Sequence, residues 1–513
     1  TYTTQAKTKK GNRKSEFALR EAEFWLTAAN KLSSTKYPYH ELERLWKLVL
    51  FNQFHDVLPG TSIARVHQEA ERDYAEVVTQ AGDMAAKAVN ELVKESTHVT
   101  VFNSLSWARD ELIPLPVGMK GVRTPTGEVL PVQEVDGQVY AKATIPPCGW
   151  VTLRPTEEVV SSDQRVLVEK YKLENEYLRV LFNNKGQITS IYDKEAELEL
   201  TSGLCNDFRM YKDVTTAYDA WDIDSMYERL PVAIDTEASI EVMYDGCLIG
   251  GLRIERMLNK SRLIQEVTLR RSSRRVDFKT TIDWQEDHKL LKVNFPVNIT
   301  TDEALHEIQF GYVKRPTHKS RQYDADRYEV CSHKWTALTE TTRGCAVLND
   351  CKYGVNAADG SINLTLLKAP LVPDMHADRG LQEFTYSFYA WNGSFAESGV
   401  IQAAYELNLP VLISGGEMTV PEGSLFIVDN NGIILDTVKL AEDQSGDVIL
   451  RLYESVRTTT SCRIVTSLPV IEAVETDMLE QPLNKIEIVD GTVPLVLKPF
   501  EIKTVRLKFQ YKN

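Results

Sequence analysis

Chemistry is concentrated where Asn52-Gln53-Phe54-His55-Asp56-Val57-Leu58-Pro59-Gly60 sets an imidazole beside a carboxylate, at the end of a helical stretch cut off by Pro59-Gly60. His55 is a candidate metal ligand, and Asp56 is a candidate acceptor for a ligand hydroxyl. Two adjacent side chains cannot complete a catalytic zinc site, which usually takes three protein ligands and keeps one position open. The other ligands therefore lie elsewhere in the chain or outside it. The ordinary alternative is a helix-terminal histidine whose imidazolium is stabilised by the last carbonyls, at the end of an inward-facing stripe with Leu48 and Phe51. Asp56 weighs against it, since a carboxylate near a helix C-terminus needs a compensating cation or donor.

A second cluster, Tyr218-Asp219-Ala220-Trp221-Asp222, interleaves aromatic faces with carboxylates. Such residues suit sugars, because carboxylates accept hydroxyl hydrogens while an aromatic face packs on the ring. Arg327-Tyr328-Glu329 with His333 and Trp335 is a similar cluster. For each, the commoner reading is an ordinary loop or strand with a satisfied polar network. Among 73 acidic residues no catalytic carboxylate pair can be chosen by inspection. A His-Asp doublet on a helix also occurs in metal-dependent phosphohydrolases of the HD type, for which His40 and Asp73 are the available further ligands. The predominance of sheet in this chain makes that the weaker alternative.

A chain of 513 residues has material for about three or four domains. No apolar run approaches the roughly 20 residues that span a bilayer, so no membrane segment is expected. The net charge of −14 would repel a phosphate backbone, and the densest basic group, Arg270-Arg271 with Arg274-Arg275, reads as a solvated strand face. Nucleic acid is not an expected partner. Seven cysteines without Cys-x-x-Cys spacing suit free thiols in a reducing cytoplasm. Cys345 and Cys351 flank a strand and turn, and burial is expected there.

Positioning these residues falls first to three helices, expected over residues 14–32, 40–54 and from about 61 onward, where Thr61 or Ser62 is the N-cap candidate. Phe17, Phe24, Trp25, Ala28 and Leu32 make the first apolar stripe; Val66, Ala70, Tyr74, Val77 and Ala81 make the third. Short connections predict a compact bundle. After Ser96 the pattern turns to period two, with strands at residues 99–102, 165–168, 177–182 and 263–269 and hairpin turns at residues 183–186 and 429–432. The expected fold class is α+β and mainly β: an N-terminal three-helix bundle followed by several antiparallel β-sandwich domains. Linkers expected at residues 157–163 and 409–416 divide the chain into a helical domain (1–97), a small β domain (98–160), a large central sandwich (161–408) and a C-terminal sandwich (409–513).

Several longer words, in one order, resemble the family 38 glycoside hydrolases, the α-mannosidases. Thr1-Tyr2-Thr3-Thr4-Gln5-Ala6, Lys9-Lys10-Gly11-Asn12-Arg13, Leu45-Trp46-Lys47 and Asn52 to Val57 are similar to the family's middle helical domain. Phe310-Gly311, Arg315-Pro316-Thr317-His318, Leu348-Asn349-Asp350-Cys351-Lys352-Tyr353-Gly354 and Leu367-Lys368-Ala369-Pro370 are similar to its C-terminal region. These words look most like the cytosolic branch.

The resemblance implies a retaining α-mannosidase with one divalent metal, zinc first and cobalt second, beneath the reacting sugar. His55 matches the metal ligand of the family's His-Asp doublet, and Asp56 matches a substrate-contacting carboxylate. Asp219, Trp221 and Asp222 are further substrate-binding candidates. The family's nucleophile, acid/base and remaining ligands lie in an N-terminal β/α domain that has no match here, and retaining hydrolysis needs two carboxyl groups about 5 Å apart. The chain opens without methionine and runs almost at once into helix, which reads as a start partway through a larger protein. The expectation is an inactive helical and β portion of an α-mannosidase, with an α-mannoside oligosaccharide and the catalytic domain as partners and homo-oligomerisation left open. The alternative class is a stand-alone carbohydrate-binding or assembly module. Truncation also predicts an unusually apolar surface around His55.

Overall fold

The computed structural model describes residues 1–160 and 165–510; of the linker expected over residues 157–163, Ser161, Ser162 and Asp163 lie outside the described residues. Three helices come first, α1 Ala6–Ser33, α2 Tyr39–Asn52 and α3 Ala64–Asn90. Antiparallel sheets follow, and the fold is mainly β. Contacts gather the chain into two compact units. One comprises Thr1–Lys14, Val49–Ala75 and Asp163–Leu409; the other comprises Ser15–Leu48, Glu76–Ser162 and Pro410–Asn513.

Helix α1 begins eight residues before the expected start at Lys14, for a reason that apolar periodicity cannot register. Its first two turns are polar yet buried, and polar partners take the place of an apolar stripe. Lys9 donates from Nζ to the carbonyls of Thr4 at 2.6 Å and Leu58 at 2.9 Å, and Arg13 Nε donates to the Tyr353 hydroxyl at 3.1 Å. The helix's first N–H groups are capped from far away in sequence. Asp378 accepts from the N–H of Gln5 at 2.8 Å and of Ala6 at 2.6 Å, meeting donors that no preceding turn can satisfy.

In the first unit the core forms where two sheets face each other. Phe295, from the strand Lys289–Pro296 of a six-stranded sheet, lies 5.8 Å in ring centroid from Phe388 and 5.9 Å from Phe278 of a nine-stranded sheet. Phe278 in turn stacks on Tyr386 at 5.0 Å. These inward rings alternate with half-buried or exposed residues along Arg275–Trp284, the period-two pattern of a strand packed on one face. The hairpin expected at residues 183–186 is present. It joins Leu178–Phe182 to Ile188–Asp193, with Gly186 at φ 75° and Asn183 Oδ1 accepting from Lys185 N–H at 3.0 Å.

The second unit departs from expectation twice. Residues 412–416 of the linker expected over residues 409–416 belong instead to the strand Leu412–Met418, which pairs with Val93–Asn103. Residues 429–432 make a turn but no hairpin, because the strands on either side belong to different sheets. Phe426–Val428 pairs with Thr460–Thr466, while Ile433–Leu440 pairs with Val448–Glu454. Asp429 turns the chain by accepting the Arg463 N–H at 2.6 Å.

No disulfide forms among the described residues, and every cysteine except Cys331 is buried, Cys345 and Cys351 included as expected. Gly344 offers the sharpest packing constraint. It stands opposite Trp391 across the ladder between Arg343–Asn349 and Gly380–Asn392, and a Cβ there would sit 2.1 Å from the indole. Gly344→Ala is expected to destabilise the first unit by about 1–3 kcal/mol through overpacking. An unchanged midpoint of thermal unfolding would refute that account.

Candidate functional site

Helix α2 stops at Asn52, three residues short of His55, so the doublet stands in a turn and not on a helix end as expected. Nor does it extend an inward-facing stripe: Phe51 is 73% exposed and the His55 side chain 79%. After Asn52 the backbone closes on itself in short turns, with Val57 N–H donating to Phe54 O at 2.9 Å and Gly60 N–H to Val57 O at 3.0 Å. Gly60, at φ 84°, lets the chain pass against Thr4, where a Cβ would lie 2.5 Å from the Thr4 carbonyl. Thr61 and Ser62 do not cap α3. Both hydroxyls donate back to the Asp56 carbonyl, at 3.3 and 2.9 Å, and the Thr61 hydroxyl also lies 3.3 Å from Asp56 Oδ1.

The result is a fixed backbone presenting two outward side chains. His55 Nε2 lies 3.7 Å from Asp56 Oδ2, and the imidazole packs on Phe54 with ring centroids 4.2 Å apart. Leu50, Phe51, Phe54 and Ile63 are all exposed on this segment, the apolar surface that the sequence led us to expect. Among the described residues no group of three His, Cys, Asp or Glu could hold a metal. Asp73, one of the further ligands that an HD-type site would need, accepts the Asn52 amide at 3.0 Å. The donors at the turn fit one imidazole ligand of a metal, with a carboxylate beside it, and no complete shell.

The second candidate segment is pinned from below. Lys368, fully buried at the end of the strand Ser361–Lys368, donates from Nζ to the carbonyls of Asp219, at 2.7 Å, and Asp222, and lies 3.3 Å from the buried Asp213 carboxylate. Burial pushes the Asp213 carboxyl above its ordinary range, against the pull of the Lys368 charge. The Asp219 carboxylate is largely withdrawn from solvent. Its Oδ2 accepts the N–H groups of Leu371 at 2.6 Å and Val372 at 3.2 Å and faces His288 Nε2 at 3.4 Å. What the loop shows to solvent is Tyr218, Trp221 and Asp222; the two rings meet edge to face at 6.1 Å.

Both segments rest on the same stretch of chain. The Thr4 carbonyl takes Lys9 and backs Gly60 beneath the His55 turn, while the Thr4 hydroxyl donates to Ala220 O at 3.0 Å and the Thr1 amino group to Trp221 O at 2.8 Å. Lys368, His288 and Asp213 were absent from the sequence-derived candidates. The one available signal was a lysine inside the apolar strand run Leu366-Leu367-Lys368-Ala369. The cluster at Arg327, Tyr328 and Glu329 is structural, as its commoner reading had it. Tyr328 donates to Ile223 O at 2.6 Å, Glu329 pairs with Lys292 at 2.5 Å, and Trp335 is fully buried.

Comparison with known proteins first defines the fold. A crystal structure described as an alpha-mannosidase from Enterococcus faecalis V583 superposes with a TM-score of 0.82 over 99% of this chain and 68% of that one, at 18% identity. Three family models then match in sequence. They are the alpha mannosidase middle domain at residues 1–92, the glycosyl hydrolases family 38 C-terminal domain at residues 173–376, and the family 38 C-terminal beta sandwich domain at residues 432–505. The chain belongs to glycosyl hydrolase family 38, of which it carries the middle and C-terminal domains. Alpha-mannosidase 2C1 of Mus musculus and of Homo sapiens are each 36% identical over 99% of this chain, and Alpha-mannosidase G of Dictyostelium discoideum is 30% identical. The chain spans about half the length of these relatives. Among the described residues no helix is long and apolar enough to cross a membrane.

Lys368→Met is expected to cost about 3–5 kcal/mol, because it strands the buried Asp213 charge and frees two loop carbonyls. Adding Asp213→Asn should recover most of that loss, since it removes the stranded charge. Chemical denaturation of both variants checks this; a double variant no more stable than Lys368→Met would show that the pair is not what the loop depends on.

Proposed function

We propose that residues 1–513 form the helical and β portion of a retaining, metal-dependent α-mannosidase that releases terminal α-linked mannose from oligosaccharides, and that alone they are inactive or nearly so. One observation carries the reading: in a chain of this family, a rigid turn holds His55 and Asp56 outward on an exposed apolar segment. A histidine meant for internal packing would not be presented this way. Large exposed apolar side chains on a segment this well hydrogen-bonded mark a surface made to be covered.

In this reading His55 contributes one imidazole to a divalent metal, zinc most readily, and Asp56 accepts a hydroxyl of the sugar. A metal bound there would supply Lewis acidity toward sugar hydroxyls. Trp221 offers a ring face and Asp222 an acceptor, while Asp219 shapes the loop through its bonds to Leu371 and Val372. The nucleophile, the acid/base and the other metal ligands belong to a segment outside these residues, which is the partner the apolar turn receives. The three helices act together as the middle-domain bundle. The four-part division at residues 97, 160 and 408 is part of the same reading, as is a cytoplasmic location.

Hydrolysis of an aryl α-mannoside, with zinc or cobalt added, tests this on residues 1–513 and on a longer polypeptide that also carries the family's catalytic segment. The longer form should turn over substrate, and His55→Ala should lower its kcat/KM by at least about a hundredfold, the upper range seen when even a ligand's outer partner is lost. Residues 1–513 alone should show neither turnover nor tight zinc binding. Turnover by the 513-residue chain that His55→Ala abolishes would place the carboxylate pair within it and overturn the proposal.

A further inference from the structure

The second unit holds a cavity of about 560 Å³ that none of the foregoing uses, within the roughly 300–1,000 Å³ of small-molecule sites. Its wall is aromatic: Tyr37 and Tyr39 meet at a ring-centroid distance of 4.7 Å with planes 57° apart, and Trp46 continues the surface. Trp46 donates its indole N–H to Glu23 Oε1 at 3.0 Å. Glu23 is 8% exposed. Its second oxygen takes no hydrogen bond from the described residues, so one carboxyl oxygen at the cavity wall stays open to a donor from a ligand or water, on a carboxyl that burial pushes up to about 7.

Charge limits what that donor can belong to. The cavity is lined by five carboxylates, those of Glu23, Glu43, Asp436, Glu442 and Glu480, against two cations, Lys439 and Arg451, which disfavours phosphate and other anions. Lys439 Nζ is spent on Glu442 and on Glu480, the latter at 2.9 Å, yet its charge still acts on Glu23 and opposes an incoming ammonium. A neutral ring with an apolar face and hydroxyl edges meets all three constraints. We infer that this cavity binds a pyranose unit of a glycan, stacked on the aromatic wall with one hydroxyl donating to the free oxygen of Glu23. The inference goes beyond the catalytic reading and stands or falls without it.

The test uses the 513-residue chain labelled with 5-fluorotryptophan, whose eight tryptophans give separable fluorine signals, that of Trp46 assigned with Trp46→Phe. Methyl α-mannopyranoside, methyl α-glucopyranoside, glycerol, propylammonium and inorganic phosphate are titrated in turn. One or both pyranosides should shift the Trp46 signal saturably, with millimolar or tighter affinity. Glu23→Gln should weaken that binding about tenfold, because the amide keeps an acceptor for Trp46 but turns the free oxygen into a donor. The unchanged signals of the other tryptophans verify that this variant is folded. A Trp46 shift with propylammonium or phosphate but not with pyranosides would overturn the inference. So would equal response to glycerol, no Trp46 response to either sugar, or undiminished sugar binding by Glu23→Gln.

Discussion

Two buried ammonium groups hold the candidate surface in place. Lys9 bridges the carbonyls of Thr4 and Leu58, and Lys368 bridges those of Asp219 and Asp222. A buried cation is costly unless it is paired or fully hydrogen-bonded, and these carbonyls cannot be satisfied within a helix or ladder because they lie in turns. Each need answers the other. The cost shows at Lys9, where burial pulls the ammonium down to about 7 even though Asp378 pulls it up. A lysine held so close to losing its proton fixes this geometry at a cost in stability.

Much of the fold was legible because its signals are local. Apolar positions recurring every three or four residues located all three helices, and alternation located the strands at residues 99–102, 178–182 and 263–269, while the one expected at residues 165–168 is Leu167–Glu169. Asn183 to Gly186 was readable as a hairpin because a short asparagine and a glycine at positive φ solve a four-residue problem. Asp429 to Gly432 carries the same chemistry and makes a turn, but which sheet each flanking strand joins is settled by partners outside those four residues, at Thr460–Thr466 and Val448–Glu454. Leu412–Met418 escaped for a related reason. Its Gly415-Gly416 reads as linker, yet it is the strand's place beside Val93–Asn103 that orders it.

Legibility of the site divides along the same line. His55 and Asp56 stood out by type and adjacency, and the family words around them gave each a role. Their exposure did not stand out, because heptad-like spacing with Leu48 and Phe51 pointed inward; the helix ends at Asn52, and the chain's direction after that is set by Gly60 fitting against Thr4. Asp219 illustrates the converse. Composition made it one of three equivalent loop residues, whereas the structure spends its Oδ2 on two backbone N–H groups and leaves Trp221 and Asp222 to face outward. A sequence shows which side chains are able to do chemistry, but not which have already been used to hold the backbone.

Thr4 connects these observations into one argument about rigidity. A catalytic group displaced by a fraction of an ångström loses much of its effect, so the elements that carry it must move together or not at all. The Thr4 carbonyl supports the His55 turn through Lys9 and Gly60, and its hydroxyl supports the loop at Ala220. A residue with no chemistry of its own thus couples the candidate metal ligand to the aromatic loop. The polar opening of α1, which carries no apolar period, is the part of the chain that makes the two segments one surface.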